Sequence, residues 1–240
     1  MYDVPAYLWV IEFVAVIGVV AAILVALAHG ADAATRTRLL AWAAVVLGGW
    51  MGMSAYLASQ GAYRQDPGEA IPWIGVAIGG VLITALLAAR IPAVAGALAD
   101  RGAAARLVLP QTFRLVGVVF LILMVTGDLP AVFALPAGLG DIAVGIAAPF
   151  VAQHLRRDPS WSGAVAFNLL GILDLVVAVG VGFLAAPGPR QAIHVIPTTE
   201  PVGLLPLALI PTAVVPLAVA LHVLSLRRLA QRKAAVPAST

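Results

Sequence analysis

The sequence contains no cysteine. That excludes disulfides, thiolate-bound zinc, iron–sulfur clusters, covalently attached haem and thiol redox chemistry together. Lysine is nearly missing as well. Lys233, in the polar stretch near the C-terminus, is the one example, so there is no membrane-embedded lysine for a Schiff base and no Walker A motif. Charge is the third scarcity: 10% of the 240 residues are charged and 62% are apolar, with a mean hydropathy of +1.04. An ordinary soluble domain has about 25% charged and roughly 45–50% apolar residues. The 14 basic and 11 acidic side chains are too few to cover a water-facing surface, so most of the exterior is expected to face lipid. The net charge of +3 does not indicate nucleic acid, because the arginines are spread in ones and twos over short connections. No metal site and no cofactor is expected, since neither a His-Glu-x-x-His motif nor a helical histidine pair occurs.

What is present is a series of long apolar runs. A hydrocarbon core of about 30 Å needs about 20 helical residues. Seven runs meet that need, at 7–28, 39–58, 72–89, 110–127, 130–152, 162–185 and 203–224. The expected fold class is therefore all-α, a single transmembrane bundle over 1–228 followed by a polar tail at 229–240. The first run has no Lys or Arg ahead of it and carries Glu12, so it reads as a retained span rather than a signal peptide. Arg36, Arg38, Arg90, Arg101, Arg106, Arg156, Arg157, Arg227, Arg228, Arg232 and Lys233 fall on alternate connections, and only Arg64 and Arg190 on the others. Basic residues near span ends stay cytoplasmic, which puts the N-terminus outside and the C-terminus inside. Trp9, Trp42, Trp73 and Trp161 lie near the expected interfaces, whereas Trp50 falls within a span. The connection 91–109 reads either as a short helix on the cytoplasmic surface or as a frayed end of the third span plus a loop.

Small residues mark helix contacts in lipid. Gly48 with Gly52, Gly75 with Gly79, and Gly138, Gly140 and Gly145 are expected packing faces, with the fifth span central. Pro201, Pro206, Pro211 and Pro216 predict a kinked or partly unwound seventh span.

Chemistry is expected where ionisable groups lie inside spans, at a cost of about 2.5–3.5 kcal/mol each on insertion scales. Arg114, Asp141 and Asp174 qualify, with Asn168 nearer the cytoplasm. Gly127-Asp128-Leu129-Pro130 makes a tight turn in which Asp128 is expected to cap the next helix. Arg114 and Asp141 lie about equally far on either side of Asp128, so on antiparallel helices they meet at one depth. Glu12 is close enough to its span end to reach the headgroups. His29, His154 and His222 read as interfacial histidines, and Ser54 in Gly52-Met53-Ser54 has no histidine at its depth to act as base.

Phe113-Arg114-Leu115-Val116-Gly117, Gly127-Asp128-Leu129-Pro130, Phe133 through Gly138, Gly140-Asp141, Phe167 through Asp174 and Leu221 through Arg228 together resemble a family of uncharacterised bacterial integral membrane proteins. The resemblance covers roughly the second half of the chain. It implies a polytopic protein of the bacterial cytoplasmic membrane and points to Arg114, Asp141, Asn168, Asp174 and His222 as matching positions, without implying an activity. The residues themselves favour a small-solute or proton-linked carrier with a mid-membrane polar site. A structural or assembly subunit of a membrane complex is the alternative, and a membrane-embedded enzyme the third reading. Expected partners are membrane lipid, a small solute, and a membrane protein or a second copy; no catalytic residue is assigned.

Overall fold

A computed structural model describes residues 5–28, 32–65, 71–159 and 161–235, without the side chains of Glu12 and of 233–235. The expectations for His29 and for the Glu12 side chain lie outside the described residues. All regular structure among the described residues is helical. In chain order it comprises α1 (Ala6–Leu27), α2 (Ala33–Ser59), α3 (Trp73–Ala88), α4 (Pro92–Ala97), α5 (Ala103–Val108), a 3₁₀ segment (Leu109–Gly117), α6 (Val118–Val125), α7 (Ala131–Arg157), α8 (Gly163–Leu184), a π-helical turn (Ile210–Val214) and α9 (Val215–Ala235).

Among the described residues, six stretches are long and apolar enough to cross a membrane: Ala6–Leu27, Ala33–Ser59, Ala103–Val125, Ala131–Arg157, Gly163–Leu184 and Ile210–Arg232. Their outward faces are apolar at helical spacing, with Val10, Phe13, Val14 and Ile17 exposed on α1 and Leu169, Leu170, Leu173, Val176 and Val177 on α8. Lipid, which offers no hydrogen bonds, suits such a face. The third of the seven expected runs is shorter. α3 has 16 residues, about 24 Å of helix, because Pro72 precedes it and a turn leads from Ala89 into Pro92.

The connection 91–109 matches neither expected form. It holds two short helices, and the second, α5, runs straight into the fourth span with Ala103, Ala104, Ala105, Leu107 and Val108 all buried. The fourth span thus begins seven residues earlier than the apolar run suggested, at 103 rather than 110. Around this connection the basic residues gather: Arg106 donates to the carbonyls of Ala26 and Ala97 and pairs with Asp100 at 2.7 Å, Arg228 reaches Ala95 and Arg232 reaches Asp100. Asp32 caps α2 nearby, accepting from the N–H groups of Ala34 and Thr35. Hydrogen bonds from Thr35 hold its carboxyl below the ordinary 3.8, so this cap contributes above that range and is lost as pH falls through the lowered value.

The last span departs most from an ideal helix, and its prolines explain how. In an α-helix the Thr212 carbonyl would accept from residue 216, which is Pro216 and has no N–H. The chain winds as a π turn here, and the indole Nε1 of Trp50 donates to the Thr212 carbonyl at 2.9 Å. The hydroxyl of Thr212 donates to the Ala208 carbonyl, that of Ser54 to Thr212 Oγ1 at 2.6 Å, and that of Tyr63 to Ser54 at 3.1 Å. Trp50 and Ser54 of α2 are therefore fasteners for the unwound turn, and Ser54 has its hydroxyl fully engaged.

The last span is the most enclosed, with 67% of its apolar stretch buried against 33% for α7. α9 packs on α3, α5 and α8, and α7 packs on the 3₁₀ segment, α5, α6 and α8. The small residues of α7 do form a packing face, since a methyl group on Gly138 or Gly145 would strike Leu121 or the Leu115 backbone. A methyl group on Gly48, Gly52 or Gly79 would meet nothing within 4 Å among the described residues, while one on Gly75 would meet Phe183. Asp128 does not cap α7, whose N-cap is Pro130. Its carboxylate instead accepts from the Thr126 hydroxyl, beside Gly127 at φ 83°.

Candidate functional site

The 3₁₀ segment organises the site. Three residues per turn place positions three apart directly above one another. Gln111, Arg114 and Gly117 are so aligned, and all three are buried. The segment has a proline, Pro110, as its second residue, and the Thr112 hydroxyl bonds back to the Leu109 carbonyl, local choices that favour the tighter winding.

Arg114 is 1% exposed and uses four of the five N–H donors of a guanidinium. Its Nε donates to Asp141 Oδ1 at 2.6 Å, one terminal nitrogen to Asp174 Oδ2, and the other to the Gly171 carbonyl at 3.3 Å and to His222 Nε2 at 3.4 Å. The expected meeting of Arg114 with Asp141 is therefore part of a trio with Asp174. Two carboxylates face one guanidinium.

The chain of hydrogen bonds continues away from the carboxylates. His222 Nδ1 lies 2.9 Å from Asn168 Oδ1, and Asn168 Nδ2 donates to the Ala164 carbonyl and to Ser225 Oγ. Because Asn168 Oδ1 can only accept, Nδ1 of His222 carries the proton and Nε2 is the bare nitrogen that accepts from Arg114. Gln111 Nε2 donates to the Ala218 carbonyl, one turn from His222, and its Oε1 has no partner among the described residues.

Each key side chain lies over a glycine of a neighbouring helix. A methyl group on Gly117 would collide with Asp141, one on Gly140 with Asp174, and one on Gly171 with the His222 imidazole. Polar groups approach this closely only where no side chain intervenes.

Asp141 also borders a cavity of about 70 Å³, lined in part by Tyr63, Arg64, Ala186, Thr199 and Glu200 of the connections. Its walls are apolar and include Phe120, Phe133, Leu175, Val179 and Phe183, with Ile210, Pro211 and Val215 from the unwound turn. Asp141 lines it, but Arg114, Asn168 and Asp174 do not. Of the Asp141 oxygens, only Oδ1 is hydrogen-bonded among the described residues.

The four site residues expected from sequence, Arg114, Asp141, Asn168 and Asp174, thus come together. His222 is not interfacial: it is 0% exposed, and since α9 runs on to Ala235 it lies 13 residues from the helix end. His154 does sit at an exposed span end, stacked on Trp161. Sequence reasoning missed Gln111, Ser225, the aromatic wall and the roles of Gly117 and Gly171. A spacing of three from Gln111 through Arg114 to Gly117 was the one legible signal. Among the described residues no cluster of three or more His, Asp or Glu could hold a metal ion.

Residues 71–230 match a family described as a domain of unknown function, DUF8737. No curated protein and no solved structure matches the chain.

Proposed function

The chain belongs to the DUF8737 family, and we propose that it is a multi-pass carrier for a small solute in the bacterial cytoplasmic membrane, with seven crossings and the N-terminus outside. The observation that carries this reading is a cavity whose lining takes in both the connections around Tyr63, Arg64 and Glu200 and the Asp141 carboxylate within α7. A purely structural ion pair has no need of an access route. Behind Asp141 a continuous hydrogen-bonded column, Arg114–His222–Asn168–Ser225, ties the helices together. One wall is the unwound start of the last span, the kind of broken helix that binding sites in carriers use.

Two carboxylates against one guanidinium carry one negative charge in excess. A proton or a cationic group that neutralises it would couple cavity occupancy to charge, which is the proton-linked form of the reading. α3 crosses with local thinning of the bilayer, at a modest cost.

Orientation has a direct check: reporter fusions after residues 65 and 190 are expected to read outside, and those after 33 and 155 inside. A cytoplasmic signal at 65 would reverse the assignment.

For transport, the chain's lack of cysteine allows single-cysteine labelling without background. Ala178→Cys, in the cavity wall, is expected to react with a membrane-impermeant methanethiosulfonate reagent from the outer face and also, in inverted vesicles, from the inner face. Reaction from the outer face alone would favour the structural or assembly reading over the carrier, and no reaction from either would remove the cavity from consideration.

A further inference from the structure

Resting on the reading of the cavity as a solute site, we propose that its ligand is a protonated amine with a small apolar body, the ammonium on Asp141 and the body among Phe120, Phe133, Leu175 and Val179. The sign of the charge follows from the arrangement of ionisable groups. Asp141 is the ionisable residue at the cavity floor, and the arginine that balances it lies behind, 1% exposed and outside the lining. That guanidinium is already shared with Asp174. An anion entering the cavity would meet a carboxylate with its counter-charge turned away, whereas a cation would complete the neutralisation of the trio. Arg64 and Glu200 also line the cavity with opposite charges, so the net preference is set by Asp141.

Hydrogen bonding and ring chemistry agree with that sign. The Oδ2 atom of Asp141 has no hydrogen-bond partner among the described residues, so the carboxylate can accept from an ammonium without releasing Arg114 from Oδ1. Phe120 and Phe133 pack edge to face, with ring centres 5.3 Å apart, and both line the cavity. Ring faces attract cations, and more strongly where water is scarce. The same apolar walls argue against a bare metal ion, which needs several oxygen ligands where the floor supplies one carboxylate. They also favour a ligand that buries hydrocarbon over one that is polar throughout.

The test compares three molecules that share one skeleton and differ in head-group charge: isoamylamine, isoamyl alcohol and isovalerate. Each is titrated into the full chain in nanodiscs of phosphatidylcholine, a lipid without net charge, with tryptophan fluorescence as the readout. Trp50, bonded to Thr212 next to cavity-lining Pro211, is the reporter. Saturable binding of the amine, at least about tenfold tighter than the alcohol and the carboxylate, is expected. Asp141→Asn, which retains an acceptor for Arg114, is expected to reduce amine affinity to the level of the alcohol. Equal affinity for amine and alcohol, or tighter isovalerate, overturns the amine while leaving the cavity as a solute site. If none of the three saturates, the amine is also overturned, and the Ala178→Cys labelling still decides the carrier on its own. The comparison of head groups uses the unmodified chain, so it stands even if Asp141→Asn fails to accumulate.

Discussion

Replacing Arg114 with leucine is expected to cost about 3–5 kcal/mol or to abolish accumulation of the protein in membranes, the largest effect of any single substitution in the chain. The side chain is buried and holds two carboxylates, a backbone carbonyl and an imidazole at once. Its removal leaves both Asp141 and Asp174 without a counter-charge. The acids are not equivalent to it. Asp141→Asn or Asp174→Asn keeps an oxygen for the guanidinium and leaves one ion pair intact, so each alone should cost only about 1–2 kcal/mol. Combining Arg114→Leu with both asparagine substitutions should recover part of the loss, because no charge is then left unpaired. Unfolding in detergent followed by circular dichroism, together with abundance in membranes, reads the series. Strictly additive losses across the triple variant would show that the three side chains do not act as one unit. Asp174→Asn carries a functional readout too. A variant that accumulates and moves solute as well as the unmodified chain would exclude proton linkage through Asp174.

The second large effect is a contrast between glycines. Gly117→Ala, Gly140→Ala and Gly171→Ala each drive a methyl group into Asp141, Asp174 or His222. Overpacking of this kind costs about 1–3 kcal/mol, and here it also displaces a member of the buried polar column. Gly48→Ala and Gly52→Ala meet nothing within 4 Å and should be neutral or stabilising by about 0.5–1 kcal/mol, since alanine is the better helix former. Thermal denaturation in one detergent separates the two groups. Gly171→Ala as stable as Gly52→Ala would mean that the His222 ring does not lie against α8.

Much of the candidate site could be read from the sequence because an ionisable residue in an apolar run is conspicuous: Arg114, Asp141 and Asp174 stand out in any hydropathy reading. Their shared depth followed from a tight turn that Gly127 permits. The misreadings have equally local causes. His222 looked interfacial because the apolar run ends near Leu224, while the helix itself continues through Arg227 and Arg228 to Ala235. Gly48 and Gly52 looked like a packing face because small residues at a spacing of four fit one, yet among the described residues nothing lies within 4 Å of where a methyl group on either would sit. Trp50, which gave no signal as an interface marker, satisfies a carbonyl that Pro216 leaves unpaired, a pairing between residues far apart in sequence.

Composition alone determined the solvent of this protein. With so few charges and so many apolar residues, the exterior had to be hydrocarbon-compatible and the backbone helical, since each helix satisfies its own N–H and C=O groups. The tertiary structure decided which side chains share a depth and a facing. A second carboxylate on Arg114, the bare nitrogen of His222 aimed at it, and a cavity that ends at Asp141 all depend on how helices distant in sequence are rotated against one another. Hydropathy carries little information about that rotation, because lipid is nearly indifferent to which apolar face it meets. The close contacts allowed by Gly117, Gly140 and Gly171 supply it instead.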